Sequence, residues 1–288
     1  MDVRFLKSLL AVIDKGSIAD AARLENLTSS AVSQRIQALE RELGVTLFSR
    51  IGNTAKPTES CMRLVPRARK IVQEIQALRT DLDPLGLTGE LRIGAISTAL
   101  TGLIPQLLKK LMTQAPDVKL SIVPGTSASL YERLMAEELD AVIVVNPPFD
   151  TPKMMKKITL YAEPLVFIKP KSLSLPIKQA IQAGPYIQYD PNSWGGRLAI
   201  EYLHDQHIAV EPLCDLDGLE AIAVLVSEDV GVSLIPYWKG LEKIANNIAI
   251  NHVDIRKYQR EVVLLYPVQT VNTSLINFLV NLLQSESG

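Results

Sequence analysis

Over the first sixty residues, the apolar positions repeat at helical spacing. Phe5, Leu6, Leu9, Leu10 and Ile13 recur every three or four residues, and Gly16 is placed to end that helix. Ser17 with Asp20 forms a helix-start pair, and Ala19, Ala21 and Ala22 keep the second helix thin enough for a close neighbour. Thr28 is placed to cap a third helix. There Val32, Ile36, Leu39 and Leu43 form an inward stripe, while Ser30, Ser33, Gln34, Gln37 and Arg41 gather opposite. Solvated helices favour Glu and Lys on such a face; short hydroxyls and amides approach base edges and phosphates closely, which suits a helix lying in the major groove.

Beyond Gly44, the apolar group Val45, Leu47 and Phe48 precedes a turn at Gly52 and Asn53, flanked by Arg50 and Lys56. This predicts a β-hairpin wing able to place a basic side chain on the DNA backbone or in the adjacent minor groove. Leu64, Ala68, Ile71, Ile75, Leu78 and Leu82 then alternate at spacings of four and three, a heptad seam. Such a stripe serves a partner helix or packs on its own domain, and pattern alone leaves both open. Pro66 lies early in this helix and marks its first turn or a kink.

Pro and Gly punctuation puts a boundary near Leu85 to Gly89. Past it, Leu91–Ala95, Lys119–Val123 and Ala141–Val145 read as strands, with helices over about Leu100–Gln114 and Ser129–Glu138, the pattern of a parallel α/β layer. Glu163–Ile168, Tyr186–Tyr189, Val232–Ile235 and Val262–Tyr266 suggest a second such lobe. The expected organisation is multidomain, α+β and α/β: residues 1–58 a winged helix-turn-helix, 59–87 a linker and dimerisation helix with a hinge, and 88–288 two α/β lobes, the second spanning roughly 163–266. Pro147 and Pro148 stiffen the crossover between lobes.

Open α/β sheets bind ligands beyond the carboxyl ends of their strands. Those ends carry Ser97 and Thr98, then Gly125, Thr126 and Ser127, then Asn146, with Ser193 and Trp194 in the other lobe; Asp217 joins them. Each hydroxyl serves equally well as a helix cap, but jointly they point to a cleft. Hydroxyls at a helix start favour a small anion, while Tyr161 and Trp194 would accommodate an aromatic ring.

Charge sharpens the division of labour. The chain of 288 residues has a formal net charge of -1, yet residues 28 to 70 hold eight Lys or Arg against three Asp or Glu. That is where a polyanion would land, although such a run also suits a solvated face. Cys61 and Cys214 stand far apart, so no disulfide framework, metal site or cofactor is expected, and a reducing cytoplasm is the expected location, with no membrane partner. An α/β enzyme is the rival class; His204 and His207 lack an HExxH context, and the Asn192 to Gly196 turn lacks phosphate-loop spacing. A metabolite sensor acting mainly through protein contacts is a further alternative.

Ala31 to Arg50 match the pattern A-V-S-x-x-I-x-x-L-E-x-x-L-G-V-x-L-F-x-R, and the segment resembles the winged helix-turn-helix of LysR-type transcriptional regulators. "GELRIG", "ELDAVI" and "DVGVSLIP" resemble recurrent phrases of that family's effector domain, which is similar to periplasmic binding proteins. The resemblance implies a non-enzymatic regulator that binds double-stranded promoter DNA as a homodimer or homotetramer, responds to a small-molecule effector between its lobes, and has RNA polymerase as a further partner. It places DNA contacts at Ser29, Ser30, Ser33 and Gln34 and on the wing. It also favours dimerisation through the linker helix. Two positions depart from the family: Gln34 and Asn53 stand where Arg is common. Fewer cationic contacts imply a shallower salt dependence, and Gln34 suits adenine better than guanine.

Overall fold

The computed structural model describes residues 1–51, 54–81, 87–244, 246–254 and 256–284. The chain forms two compact units, one carried by Met1–Gly89 and the other by Glu90–Met135 and Leu139 onward.

The first unit opens with α1 (Val3–Lys15), α2 (Ile18–Glu25) and α3 (Ser29–Leu43). Their ends follow local chemistry. Ser17 Oγ accepts from the Asp20 amide at 3.0 Å and Thr28 Oγ1 from the Ala31 amide at 3.1 Å, so each cap satisfies a helix-start N–H. Gly16 and Gly44 close α1 and α3 with φ of 71° and 67°, a conformation that only glycine adopts without a Cβ penalty. The hairpin β1 (Phe48–Ile51) and β2 (Thr54–Pro57) follows, antiparallel, with Ser49 opposite Lys56. Gly52 and Asn53 of its turn lie outside the described residues.

Helix α4 (Glu59–Asp81) folds back on α1. Cys61, Val65, Ala68 and Val72 are buried with Leu6, Leu9, Leu10, Leu39 and Leu47 in one cluster; Leu64 and Ile71 pack at its edge. Arg69 pairs with Asp14 across α1 and α4. This corrects the expected seam: Ala68 is wholly committed to its own unit, whereas Ile75 and Leu78, further along, are exposed. Leu82 lies outside the described residues. Leu43 departs from its expected place too: it is exposed, because α3 ends one turn past the last buried position, Leu39.

Burial pushes the Cys61 thiol, with help from the Glu40 carboxylate, up to about 11. A thiol held neutral and enclosed is a poor nucleophile. Under native conditions an aromatic disulfide reagent is expected to titrate the half-buried Cys214 and to reach Cys61 only after unfolding; two rapidly reacting thiols would contradict this packing.

The second unit continues with β3 (Gly89–Ala95), α5 (Ser97–Gly102), α6 (Ile104–Gln114), β4 (Val118–Pro124), α7 (Ser127–Met135) and β5 (Ala141–Val145). Then come β6 (Met155–Pro170), α8 (Ile177–Ala183), β7 (Tyr186–Tyr189), α9 (Arg197–Asp205), β8 (Pro212–Leu216), α10 (Leu219–Ser227) and β9 (Ser233–Pro236). The chain ends with α11 (Leu241–Ile244), β10 (Ile248–His252), β11 (Gln259–Pro267) and α12 (Thr273–Gln284). A break at Leu103 divides the single helix expected over Leu100–Gln114 into α5 and α6, with Pro105 in the first turn of α6.

The main sheet has the order β10-β6-β11-β5-β3-β4, with β9 also paired to β6. β3 and β5 are parallel, as expected, but β11 is antiparallel to both β5 and β6. Two corrections follow. The sheet is mixed rather than parallel, and of Val262–Tyr266, expected in the second lobe, Val262–Leu265 pair with β5 of the first and Tyr266 with Lys156 of β6. β6 runs through both lobes: Met155 to Pro164 pair with β11, while Leu165 to Pro170 pair with β9 and β10. Its far half alternates between two cores, Leu165 and Phe167 on one face and Val166 and Ile168 on the other. β7 and β8 form a separate parallel pair. Among the described residues no helix is long and apolar enough to cross a membrane.

Candidate DNA-reading helix and ligand cavity

Val32, Ile36 and Leu39 bury one face of α3. On the other, Ser29, Ser30, Gln34 and Gln37 are exposed, Ser33 is half-buried, and Arg41 is exposed. The helix is held from beneath: Arg35 donates to Ser8 Oγ at 3.1 Å and pairs with Glu25 at 3.6 Å, and Ser8 in turn donates to Glu25. One polar group from each of α1, α2 and α3 thus fixes their mutual rotation. Glu40 carries no local signal of its role in the sequence. Its Oε1 accepts from the Leu47 amide at 2.7 Å and the Phe48 amide at 3.2 Å, tying the entry of the hairpin to α3. Lys56 is exposed on β2; Arg50 lies on β1 opposite Ala55. The result is a face of neutral donors and acceptors on a rigid helix beside a basic hairpin.

In the second unit a cavity of about 410 Å³ opens between the lobes. Seven of the eight residues expected there line it: Ser97, Thr98, Thr126, Ser127, Ser193, Trp194 and Asp217. Asn146 does not. Its side chain donates to Glu261 Oε2 at 2.9 Å and accepts from Lys157 at 3.1 Å, because β5 is flanked by the unexpected antiparallel β11. Tyr161 is also placed elsewhere, lining a second cavity of about 350 Å³ with Glu163, Tyr237 and Lys239. Several hydroxyls have structural duties as well. Thr126 Oγ1 accepts from the Ser129 amide, Ser127 Oγ from the Val145 amide, and Ser193 Oγ from the Gly196 amide.

The cation of the cavity lining has no local signal in the sequence. Arg260 is buried on β11, opposite Glu163 on β6, and its Nε donates to Glu163 Oε2 at 2.6 Å. Its other nitrogens donate to Tyr189 Oη at 3.1 Å and Thr98 Oγ1 at 3.0 Å. This one guanidinium therefore joins β6 and β11 to α5 and β7. Burial pushes the Glu163 carboxyl up, against the opposing pull of Arg260. The Asp190–Gly196 loop folds tightly over this centre. A Cβ on Gly196 would lie 1.9 Å from the Asp190 carbonyl oxygen, and one on Gly195 would meet Tyr189 Oη at 2.7 Å. Trp194, at the loop's tip, packs against Phe149 and Tyr131 with ring centroids 5.5 and 5.9 Å away.

Residues 3–62 match the family described as bacterial regulatory helix-turn-helix protein, lysR family, and residues 85–288 match the LysR substrate binding domain. The chain belongs to the LysR family of transcriptional regulators. It is similar to the HTH-type transcriptional activator IlvY of Salmonella typhimurium, with 27% identity over 245 residues covering 82% of each chain. It is also similar to the HTH-type transcriptional regulator CbbR of Rhizobium meliloti, at 30% identity over 241 residues, covering 81% of this chain and 76% of that one. Among solved structures, full-length CbnR complexed with its target DNA shares the fold at a TM-score of 0.69, with 19% identity and complete coverage of both chains.

Proposed function

We propose that Ser29, Ser30, Ser33, Gln34 and Gln37 of α3 contact base edges and phosphates in the major groove, with Lys56 and Arg50 of the hairpin on the flanking backbone. The observation that carries this reading is the exposed hydroxyl and amide face on a helix locked by the Ser8–Glu25–Arg35 network. Two copies pair through the exposed Ile75 and Leu78 stretch of α4, giving two reading helices and a roughly two-fold site. A small molecule in the cavity between the lobes adjusts how the paired copies engage promoter DNA, and through it RNA polymerase.

Fluorescence anisotropy at stepped salt concentrations tests this, with a duplex recovered from a random-sequence pool as the specific arm and its scrambled counterpart as the control. The specific duplex is expected to stay the tighter at every salt concentration, with log K falling by about 0.9 per phosphate contact for each unit of log salt. Equal affinity for both duplexes throughout would refute the reading.

A further inference from the structure

The two walls of the cavity differ in charge. β7 and β8 run parallel with Tyr189 beside Leu216, and the Asp190 amide donates to the Leu216 carbonyl at 2.9 Å. The residues leaving the two strands, Asp190 and Asp217, therefore stand side by side, and both line the cavity. The cationic residue lining it, Arg260, is already matched by the Glu163 carboxylate, so that pair is neutral as a unit. Asp190 Oδ1 accepts only uncharged donors, the backbone amide of Asn192 at 2.9 Å and its side-chain amide at 3.2 Å. Among the described residues neither aspartate makes an ion pair. Asp217 feels the Arg260 guanidinium and has a hydrogen bond with Ser193, but that cation is shared with Glu163. This wall therefore carries two carboxylates and no full counter-charge beside Trp194, while the cavity lining also offers the uncharged groups of Ser97, Thr126 and Ser127.

A small anion, the occupant suggested by the hydroxyls alone, would enter against two like charges, with the Arg260 guanidinium of the lining already engaged by Glu163. A protonated amine would meet two carboxylates and an aromatic face, both of which attract it. Resting on the reading of this cavity as the effector site, we propose that its ligand is a small amine-bearing molecule of amino-acid type, the ammonium held by Asp190 and Asp217 beside Trp194 and the oxygens facing Ser97, Thr126 and Ser127. Desolvation, then the neighbouring Asp190 charge, raises the Asp217 pKa against the opposing pull of Arg260 and the Ser193 hydrogen bond, and a bound cation would offset that rise.

Thermal-shift titration of the full chain tests the proposal, using the individual standard L-amino acids, putrescine, the matching 2-oxo acids and Mg²⁺ as probes. At least one amine-bearing probe is expected to raise the Tm, and neither the 2-oxo acids nor Mg²⁺ to do so. In the D190N/D217N variant that probe should bind about tenfold or more weakly. The same variant without ligand should melt at or above the wild-type temperature, since a like-charge pair has been removed, which separates lost recognition from lost folding. A 2-oxo acid or Mg²⁺ that stabilises where no amine does, an absence of any amine effect, or amine binding unchanged in D190N/D217N would overturn the proposal. Placing Trp at Ala128, on the cavity lining, isolates the underlying reading: amine binding that survives A128W locates the ligand outside the cavity, whereas a ligand blocked by A128W but indifferent to D190N/D217N defeats the charge rule alone.

Discussion

Replacing Arg260 with methionine is expected to destabilise the chain by about 3–5 kcal/mol at neutral pH, because it leaves the buried Glu163 carboxylate without its counter-ion. The loss should depend on pH in a definite direction. Burial already raises the Glu163 pKa, and removing Arg260 takes away the main force opposing that rise. The folded variant then binds a proton more tightly than the unfolded chain. Stability must therefore fall as the pH rises from the ordinary carboxylate range through the raised folded pKa, and recover as the pH is lowered again. Urea unfolding at pH 5 and pH 8 measures both quantities. R260M should approach the wild type at the lower pH, and the R260M/E163L double variant should recover much of the loss at the higher one, since both charges have gone. An R260M variant as stable as the wild type at pH 8 would mean that the pair does not hold β6 and β11 together. The same variant is expected to lose the response of the cavity to any ligand, because Arg260 also orients Tyr189 and Thr98 on its lining.

Gln34→Ala and Lys56→Ala should separate the two kinds of DNA contact. Gln34 is exposed near the centre of the α3 reading face, and its amide has the paired donor and acceptor that match one base edge. Its removal is expected to cost about 1–3 kcal/mol of discrimination at a single base pair while leaving scrambled DNA bound as before. Lys56 is an exposed point charge on β2. Its loss should weaken all duplexes alike and reduce the salt slope by about one. Competition binding against a panel of single-base variants at two salt concentrations measures both effects. Equal losses on every duplex from both variants would remove the division of labour between helix and hairpin.

What could be read from the chain was what local chemistry decides. Thr28, Ser17, Gly16 and Gly44 mark helix ends through contacts within a turn of themselves, and the 3.6-residue period of Val32, Ile36 and Leu39 needs no knowledge of what covers it. The cavity hydroxyls were legible for a related reason: strand ends in an α/β layer fall on one edge whatever the order of the strands. The misses have non-local causes. Arg260 and Glu163 lie 97 residues apart and meet only because β11 returns beside β6, a pairing that no short pattern encodes. The same return strand put Val262–Tyr266 in the first lobe and drew Asn146 to Glu261. In α4 the stripe Cys61, Val65, Ala68, Val72 overlaps the expected seam at Ala68, and two stripes one position apart are equally periodic; only the presence of α1 decides which is covered. Asp190 went unnoticed because its role depends on standing next to Asp217 across a strand pair.

Sequencing the duplexes that the full chain retains from a random pool shows whether the exposed face of α3 reads base sequence. A recurrent sequence of two inverted half-sites is expected, with the preference at one position relaxed in the Gln34→Ala variant. Retention of duplexes with no shared sequence, by a chain shown to be folded and paired, would contradict it.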